Sequence, residues 1–382
     1  MVFAKFILTI LQLSEAARPQ ILRPELELSS SCALRGPPRP EGAEGMHVSA
    51  FLYGDEISDH TCERLLSGFM YSDALELSYE NGTLCVSGSG YESRAESQVQ
   101  LLRDAIVYLN KCNVDLFPFK EQILSLSDLD SDCSRSWSFA LDGRSADCNT
   151  QLVPDFAFVA WPEAGLLPNY AELAHELKQL SLQAPRSNLC GWAGSLATNS
   201  IRKRMYDLAD RSLYEIVVPR HDSGTAGGRL SMQEQVQRWA CLLDVPGNGY
   251  SGRIPLLLHS GRPLLLVGRK AGQPTDHTWF AEELKPWEHY IPVAHDLSDL
   301  NAKAAFALGP GRAQAMKMAA RAQNFCEQHL SYDAAVAHLA ARLLVPPEFQ
   351  RPRPSHGALA WTNPAYRWLM RHVRRLPAGL WS

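Results

Sequence analysis

Between residues 187 and 267, short apolar runs alternate with segments whose apolar residues fall at helical spacing, and that alternation leaves few folds open to the chain. Ser187-Asn-Leu-Cys-Gly-Trp-Ala-Gly reads as a strand ending in a glycine turn, 199–210 as a helix and 213–218 as a strand. Residues 232–239 read as a helix leading into Ala240-Cys-Leu-Leu-Asp-Val, and 254–258 and 263–267 complete the run. Strands that alternate with helices build an α/β layer structure, in which each helix carries the chain back across a mainly parallel sheet.

The first half follows the same grammar less regularly. Ala74-Leu-Glu-Leu-Ser-Tyr and Thr83-Leu-Cys-Val flank Asn81-Gly82, two residues that accept the positive φ of a tight hairpin turn. Val99, Leu102, Ala105, Ile106 and Leu109 line one face of a helix over 95–110. Gln122-Ile-Leu-Ser-Leu-Ser reads as a short buried strand ending in Asp128, and 153–160 as a second. Beyond Asn301 the pattern is helical to Leu344, interrupted at Gly309-Pro310-Gly311 and capped at Ser331. The simplest division is a signal or linker region (1–45), two α/β domains (46–185 and 186–330), and a C-terminal helical segment with a tail (331–382).

With 382 residues, 46% of them hydrophobic, the chain can bury the cores of two ordinary domains. A net charge of −4, with no long basic run before the C-terminus, gives no electrostatic footprint for nucleic acid. The apolar run after Lys5, with Ala16 and Ala17 behind it, is too short to span a bilayer and reads as a signal-peptide core. A buried strand or a fragment end is the other reading of that run. No later stretch is apolar enough for a transmembrane helix. None of the nine cysteines sits in a Cys-x-x-Cys pair, which argues against a zinc knuckle or a redox motif. Scattered as they are, they suggest a few disulfides in an oxidising compartment, with at least one thiol left over. Asn81-Gly82-Thr83 is an acceptor triplet for N-glycosylation.

The densest chemical signal is Leu243-Asp-Val-Pro-Gly-Asn-Gly-Tyr-Ser-Gly-Arg253, where a strand breaks into a loop with three glycines and reaches Ser251 and Arg253. Glycines let a backbone approach phosphate, and a guanidinium can hold phosphate oxygens in bidentate fashion. A phosphate site and a plain tight loop are both open readings. No Gly-Lys-Ser/Thr follows, so a Walker loop is excluded. Gly247, Gly249 and Gly252 have the dinucleotide-fingerprint spacing, but no clear helix and no matching acid follow. Gly194-Ser195, with Arg202 on the next helix, offers helix-start N–H groups and a cation to an anion, or is simply solvated surface. Asp128, Asp130 and Asp132 could grip a divalent metal, Asp128 could act alone as a general base, or the three form a solvated turn. Cys133 and Phe139 at the sixth and twelfth positions exclude an EF-hand, and no Gly-x-Ser-x-Gly elbow supports a serine hydrolase.

Cys241-Leu-Leu-Asp-Val-Pro-Gly-Asn-Gly-Tyr-Ser-Gly-Arg253 resembles the core signature of glycosyltransferase family 90, which holds the Rumi-type protein O-glucosyltransferases and the capsule-associated xylosyltransferases. The likeness continues through Trp279-Phe280, Leu284-Lys-Pro-Trp-Glu-His-Tyr-Ile-Pro-Val293 and Asp296-Leu-Ser-Asp-Leu300. Upstream, Val153-Pro-Asp-Phe-Ala-Phe and Gly194-Ser195 with Arg202 fall at the family's linking strand and its Arg-Gly-Ser loop, so the resemblance runs over roughly 116–344. It implies a GT-B fold, two Rossmann-like domains facing a cleft. It also implies an inverting transfer of glucose or xylose from UDP-glucose or UDP-xylose to a hydroxyl on protein serine or a glycan, with no metal or other cofactor. Carried over, Gly194, Ser195, Arg202, Gly247, Gly249, Ser251 and Arg253 bind the donor, and Asp128 is the catalytic base. The implied setting is the secretory pathway, endoplasmic reticulum or Golgi lumen, although the final Gly-Leu-Trp-Ser is no retention signal. Two departures stand out: Ala193 replaces the arginine before the upstream glycine, and Asp-Leu-Asp replaces an Asp-Tyr-Pro-like context. They keep two alternatives open: an inactive relative that binds sugar nucleotides or glycans, and a metal-dependent transferase using Asp128 and Asp130.

Overall fold

The alternating segments on either side of Asn81-Gly82 pair as β1 (Ala74–Glu80) and β2 (Thr83–Ser89), antiparallel and in direct register down to Glu80 opposite Thr83. The structure, a computed structural model, describes residues 73–80, 83–89, 92–111, 116, 118–127, 137–141, 150–161, 169–219, 230–270 and 276–344. The signal or linker region (1–45), the Asn81-Gly82 turn, the acids Asp128, Asp130 and Asp132, and the tail beyond Leu344 lie outside the described residues.

Helix α1 (Glu92–Lys111) carries the expected stripe, and Val99, Leu102, Ile106 and Leu109 bury against Leu75, Leu77, Leu84 and Val86 of the hairpin. Strand β3 (Phe119–Ser125) joins β1 antiparallel, with Leu124 opposite Leu75. Short strands β4 (Trp137–Ser138) and β6 (Gln151–Leu152) extend the sheet in parallel, while β5 (Ala140–Leu141) between them leaves it. The sheet order is β2-β1-β3-β4-β6.

The 153–160 run is not the strand its apolar content suggests. Pro154 has no ladder donor, and the next residue, Asp155, accepts the Ala157 N–H at 3.1 Å and opens a single 3-10 turn, Phe156–Phe158. Helix α2 (Tyr170–Ser181) then leads into the second sheet.

That sheet is built from β7 (Ser187–Ala193), α3 (Ser200–Leu208), β8 (Tyr214–Val217), α4 (Met232–Arg238), β9 (Trp239–Asp244), α5 (Ile254–His259) and β10 (Leu264–Val267). β11 (His277–Thr278) pairs antiparallel with β5, and β12 (Ile291–Val293) completes the sheet at its edge. All its neighbours are parallel, in the order β12-β10-β9-β7-β8. β9 and β10 are buried along their whole length, as parallel strands covered on both faces must be. Leu242, Leu264 and Leu266 join the core shared with the first sheet, whereas Leu243, Leu265 and Val267 face a second core with Trp192 and Met318. Residues 254–258, which belong to the apolar run in the sequence, form the helix α5. Pro255 sits in its first turn, where a missing N–H costs nothing, and every residue of it is buried, so no polar stripe betrays the helical period. The glycine loop does lead into a helix.

The C-terminal helices α6 (Leu300–Leu308), α7 (Arg312–His329) and α8 (Tyr332–Leu343) break where glycines and Ser331 place the breaks. α8 returns to the first sheet: the Tyr332 hydroxyl donates to Asp104 of α1, and His338 Nε2 lies 3.2 Å from the Leu152 carbonyl. The fold is thus mixed α/β. Cys190 and Cys241 form a disulfide across β7 and β9, Cys85 is also disulfide-bonded, and Cys326 is a buried free thiol. No helix among the described residues is long and apolar enough to cross a membrane.

Candidate functional site

From β7 the chain moves outward to β8, then returns to the other side of β7 to lay down β9. This reversal is a topological switch point: the connections after β7 and β9 leave in opposite directions and open a crevice at the carboxyl ends of the strands, where open α/β sheets bind ligands. Further back in β7, Gly191 makes room for the side chain of Trp239, the first residue of β9. A β-carbon on it would stand 1.6 Å from the Trp239 ring of β9.

The crevice walls are Ala193-Gly194-Ser195 after β7 and residues 244–253 after β9. Asn199 locks them together, because its side-chain oxygen caps α3 through the Ile201 N–H (3.0 Å) and its amide donates to the Gly247 carbonyl (2.7 Å). Arg202, one turn into α3, donates to the carbonyls of Pro246 (2.9 Å), Val245 (3.2 Å) and Ser195 (3.2 Å), and to the Thr198 hydroxyl (2.7 Å). Four of its five N–H groups are therefore engaged by the two walls. Its guanidinium also lies over the Trp192 ring at 5.4 Å. A β-carbon on Gly247 would stand 3.0 Å from Arg202 Nη2, so any larger residue there would press on that guanidinium. Burial, and then the like charge of Arg253, lower the Arg202 pKa to about 10, so it stays a cation at neutral pH.

Arg253 is placed differently. It donates from Nη2 to Asp244 Oδ1 (2.9 Å) and from Nη1 to the Ala193 carbonyl (3.1 Å), and its remaining N–H groups are unspent among the described residues. Asp244 is fully buried at the end of β9 and also accepts the Ser251 hydroxyl at 3.0 Å. The Ser251 main-chain N–H goes to a second buried acid, Asp276, whose carboxylate is 2.5 Å from Arg269. Asp276 is pushed up from the usual carboxylate range by burial, and further by Asp244, while Arg269 and the Ser251 N–H act against this. Ser195 spends its hydroxyl oxygen locally, accepting the Ala197 N–H at 3.2 Å.

The other side of the glycine loop meets the first sheet's half of the molecule. A β-carbon on Gly252 would be 3.1 Å from Trp161 and 3.2 Å from Asp155 Oδ2, and the Tyr250 ring lies 6.1 Å from Phe139. Phe139 and Trp161 both pack edge-on against Phe156, and Arg94 covers that ring at 4.8 Å. Arg94 in turn donates to the Leu126 carbonyl just past β3, at 3.1 Å. Asp128 lies beyond the last described residue of this segment, Ser127.

Gly194, Ser195, Arg202, Gly247, Ser251 and Arg253, singled out in the sequence, are thus brought to one crevice, with Gly249 in the same loop. Asn199, Asp244, Arg269 and Asp276 belong to it as well, and sequence reasoning gave them no part. Asp244 carried a usable signal, an acid ending an unbroken apolar strand. Arg269 and Asp276 carried none, because neither sits in a motif and only the folded chain pairs them beside the loop.

Residues 137–345 match the family described as "Glycosyl transferase family 90". The chain is also similar to "Uncharacterized protein 035R" of Invertebrate iridescent virus 3, at 31% identity over 170 residues, 39% of this chain and 15% of that protein. A second relative, "Uncharacterized protein 027R" of Frog virus 3 (isolate Goorha), is 35% identical over 91 residues, 23% of this chain and 9% of the relative. The chain therefore spans only a small part of the length of these curated relatives.

Proposed function

The chain belongs to glycosyltransferase family 90, and from that membership we propose that it transfers glucose or xylose from a UDP-sugar to a hydroxyl on protein serine or a glycan, with inversion. The observation that carries this reading is the crevice at the β7–β9 switch point, where Arg253 holds N–H donors unspent among the described residues, between two walls that Arg202 and Asn199 tie together. The donor diphosphate binds there. Arg253 and the main-chain N–H groups of the glycine loop stabilise the charge that develops on departing UDP, so the reaction needs no metal. Arg202 and Ser251 act mainly by holding the walls in place.

The acceptor approaches from the first sheet. Asp128 removes the proton from its hydroxyl as the oxygen attacks the anomeric carbon and the bond to the diphosphate oxygen breaks. What supports this placement is the run of contacts from the end of β3 through Arg94, Phe156 and Phe139 to Tyr250 of the glycine loop. Asp128 lies upstream of the family match, which begins at Trp137. The arrangement proposed is GT-B, and the return of α8 onto α1 suits two halves that face a cleft. Disulfides at Cys190–Cys241 and Cys85 suit the secretory lumen.

The test is a panel of UDP-sugars offered to the purified chain with peptide and glycan acceptors, read as UDP release and labelled product. Acceptor-dependent release from UDP-glucose or UDP-xylose is expected. Binding without transfer to any acceptor would instead mark a sugar-nucleotide-binding relative.

A further inference from the structure

Two cross-links join β7 to β9 at neighbouring levels. The lower one is covalent: Cys190 and Cys241 are direct partners in the parallel register and form a disulfide, with their Cα atoms 4.5 Å apart. The upper one is Arg253. It donates to the Ala193 carbonyl (3.1 Å) and to Asp244 Oδ1 (2.9 Å), and these two residues each stand three positions beyond one of the cysteines. Between the two levels the register pairs end, at Gly191 opposite Leu242. Below the disulfide the register slips between Ser187 and Cys190. The bond therefore holds the two strands where their ladder is short and irregular, directly beneath the crevice.

Both cysteines are fully buried, in a core that also holds Trp192, Met205, Leu243 and Leu265. Bonded sulfur atoms stand closer together than two separate thiols can, and a close-packed interior has no slack to take up the difference. Reduction therefore shifts β7 against β9 or turns a thiol into packed side chains. Either movement carries to the upper level. There Arg253 needs Ala193 and Asp244 at the same time, and Arg202 needs Ser195 on one wall with Val245 and Pro246 on the other.

We infer that the Cys190–Cys241 disulfide controls donor affinity: the oxidised chain holds both walls in place for Arg253, and the dithiol form binds the diphosphate more weakly. This rests on the donor reading of the crevice given above. The cysteines are positioning residues, since both sulfur atoms lie buried beneath the crevice and act through Arg253 and Arg202. In the exchange, two molecules of glutathione supply two electrons and two protons. The Cys190–Cys241 bond breaks, a glutathione disulfide bond forms, and each cysteine ends as a thiol. Linkage makes the effect reciprocal. A ligand that prefers the disulfide form protects that bond against reduction, by the ratio of its affinities for the two forms.

The full chain is brought to equilibrium in a series of glutathione buffers, with and without UDP, from both the oxidised and the reduced side. Thiol alkylation and mass spectrometry of the Cys190 and Cys241 peptides then read this pair apart from Cys85 and Cys326. UDP should make the pair harder to reduce, and the shift in its exchange constant should level off once UDP saturates both forms. The expected plateau is about tenfold, an ordinary size for the coupling of two linked events. Calorimetry should give the same ratio between the UDP affinities of the oxidised chain and of Cys190→Ala/Cys241→Ala. A shift that keeps growing in proportion to UDP overturns the inference, because it means that the reduced chain has unfolded and the bond serves the fold alone. No shift, with UDP bound by the oxidised chain, also overturns it and leaves the donor reading standing. Absence of UDP binding by the oxidised chain overturns the donor reading, and the inference with it. The exchange equilibrium decides even if the double variant fails to fold.

Discussion

Two arginines that look interchangeable in the sequence do different work. Among the described residues, Arg202 spends four donors on the protein, whereas Arg253 spends two and keeps the rest. Arg253→Ala should therefore weaken UDP binding by about 1.5–3 kcal/mol, the worth of a hydrogen bond to a charged group, as read by calorimetry. The same change leaves Asp244 buried without its partner, so the melting temperature should fall too. Arg253→Lys keeps the charge and should recover much of the stability but little of the affinity. Unchanged UDP affinity in both variants would remove Arg253 from the donor site. For Asp128→Asn, UDP-sugar binding should persist while the rate of transfer falls by about 10²–10⁴, the usual cost of losing a general base. Transfer at the normal rate would place the base elsewhere. Ser251, Arg202 and Arg253 were legible because they sit in a motif dense with glycine. The roles of Asp244 and Asp276 were not, since a lone acid in a sequence does not reveal which strand ends it will join.

Among elements, the glycine-bounded strands and the capped helices were the legible ones. Leu102, Ile106 and Leu109 fix α1 by their spacing, and Ser331 caps α8 by accepting the Ala334 N–H. The two misread segments share a cause: apolar content without a polar face. In 153–160 the capping oxygen of Asp155 overrides the apolar run. In α5 every side chain is buried, and the period is hidden. Asn199 is the element-scale residue on which the crevice depends, because it starts α3 and ties it to Gly247. Asn199→Ala should lower stability by about 1 kcal/mol in urea unfolding, the ordinary cost of a lost cap, and weaken UDP as well. Asn199→Asp separates the two roles. Its carboxylate still caps the helix but cannot donate to the Gly247 carbonyl, so stability should hold while UDP affinity drops. Equal affinity in that variant would show that the tie to Gly247 has no part in binding.

At the scale of the molecule, the core that joins the second sheet to the C-terminal helices contains buried histidines. Burial lowers His259 to about 4, with the Leu330 carbonyl opposing, and burial also drives His338 well below its usual range. Both are neutral in the folded chain at neutral pH. Between pH of about 6.5 and 4 the unfolded chain binds more protons at His259, so stability present above this window is lost as pH falls through it, by about 3 kcal/mol for His259. Urea midpoints should fall across that range, and less steeply in His259→Gln. A flat profile in the unaltered chain would mean that His259 is not held neutral by the fold. The larger claim is that the reversal between β7 and β9 creates the site where a nucleotide diphosphate sits, with the two arginines dividing the tasks of wall and ligand. A crystal structure of the chain with UDP bound tests it most directly. The diphosphate should lie between Gly194 and Gly247, within hydrogen-bond distance of Arg253. UDP bound anywhere else, or at the switch point without touching Arg253, would contradict it.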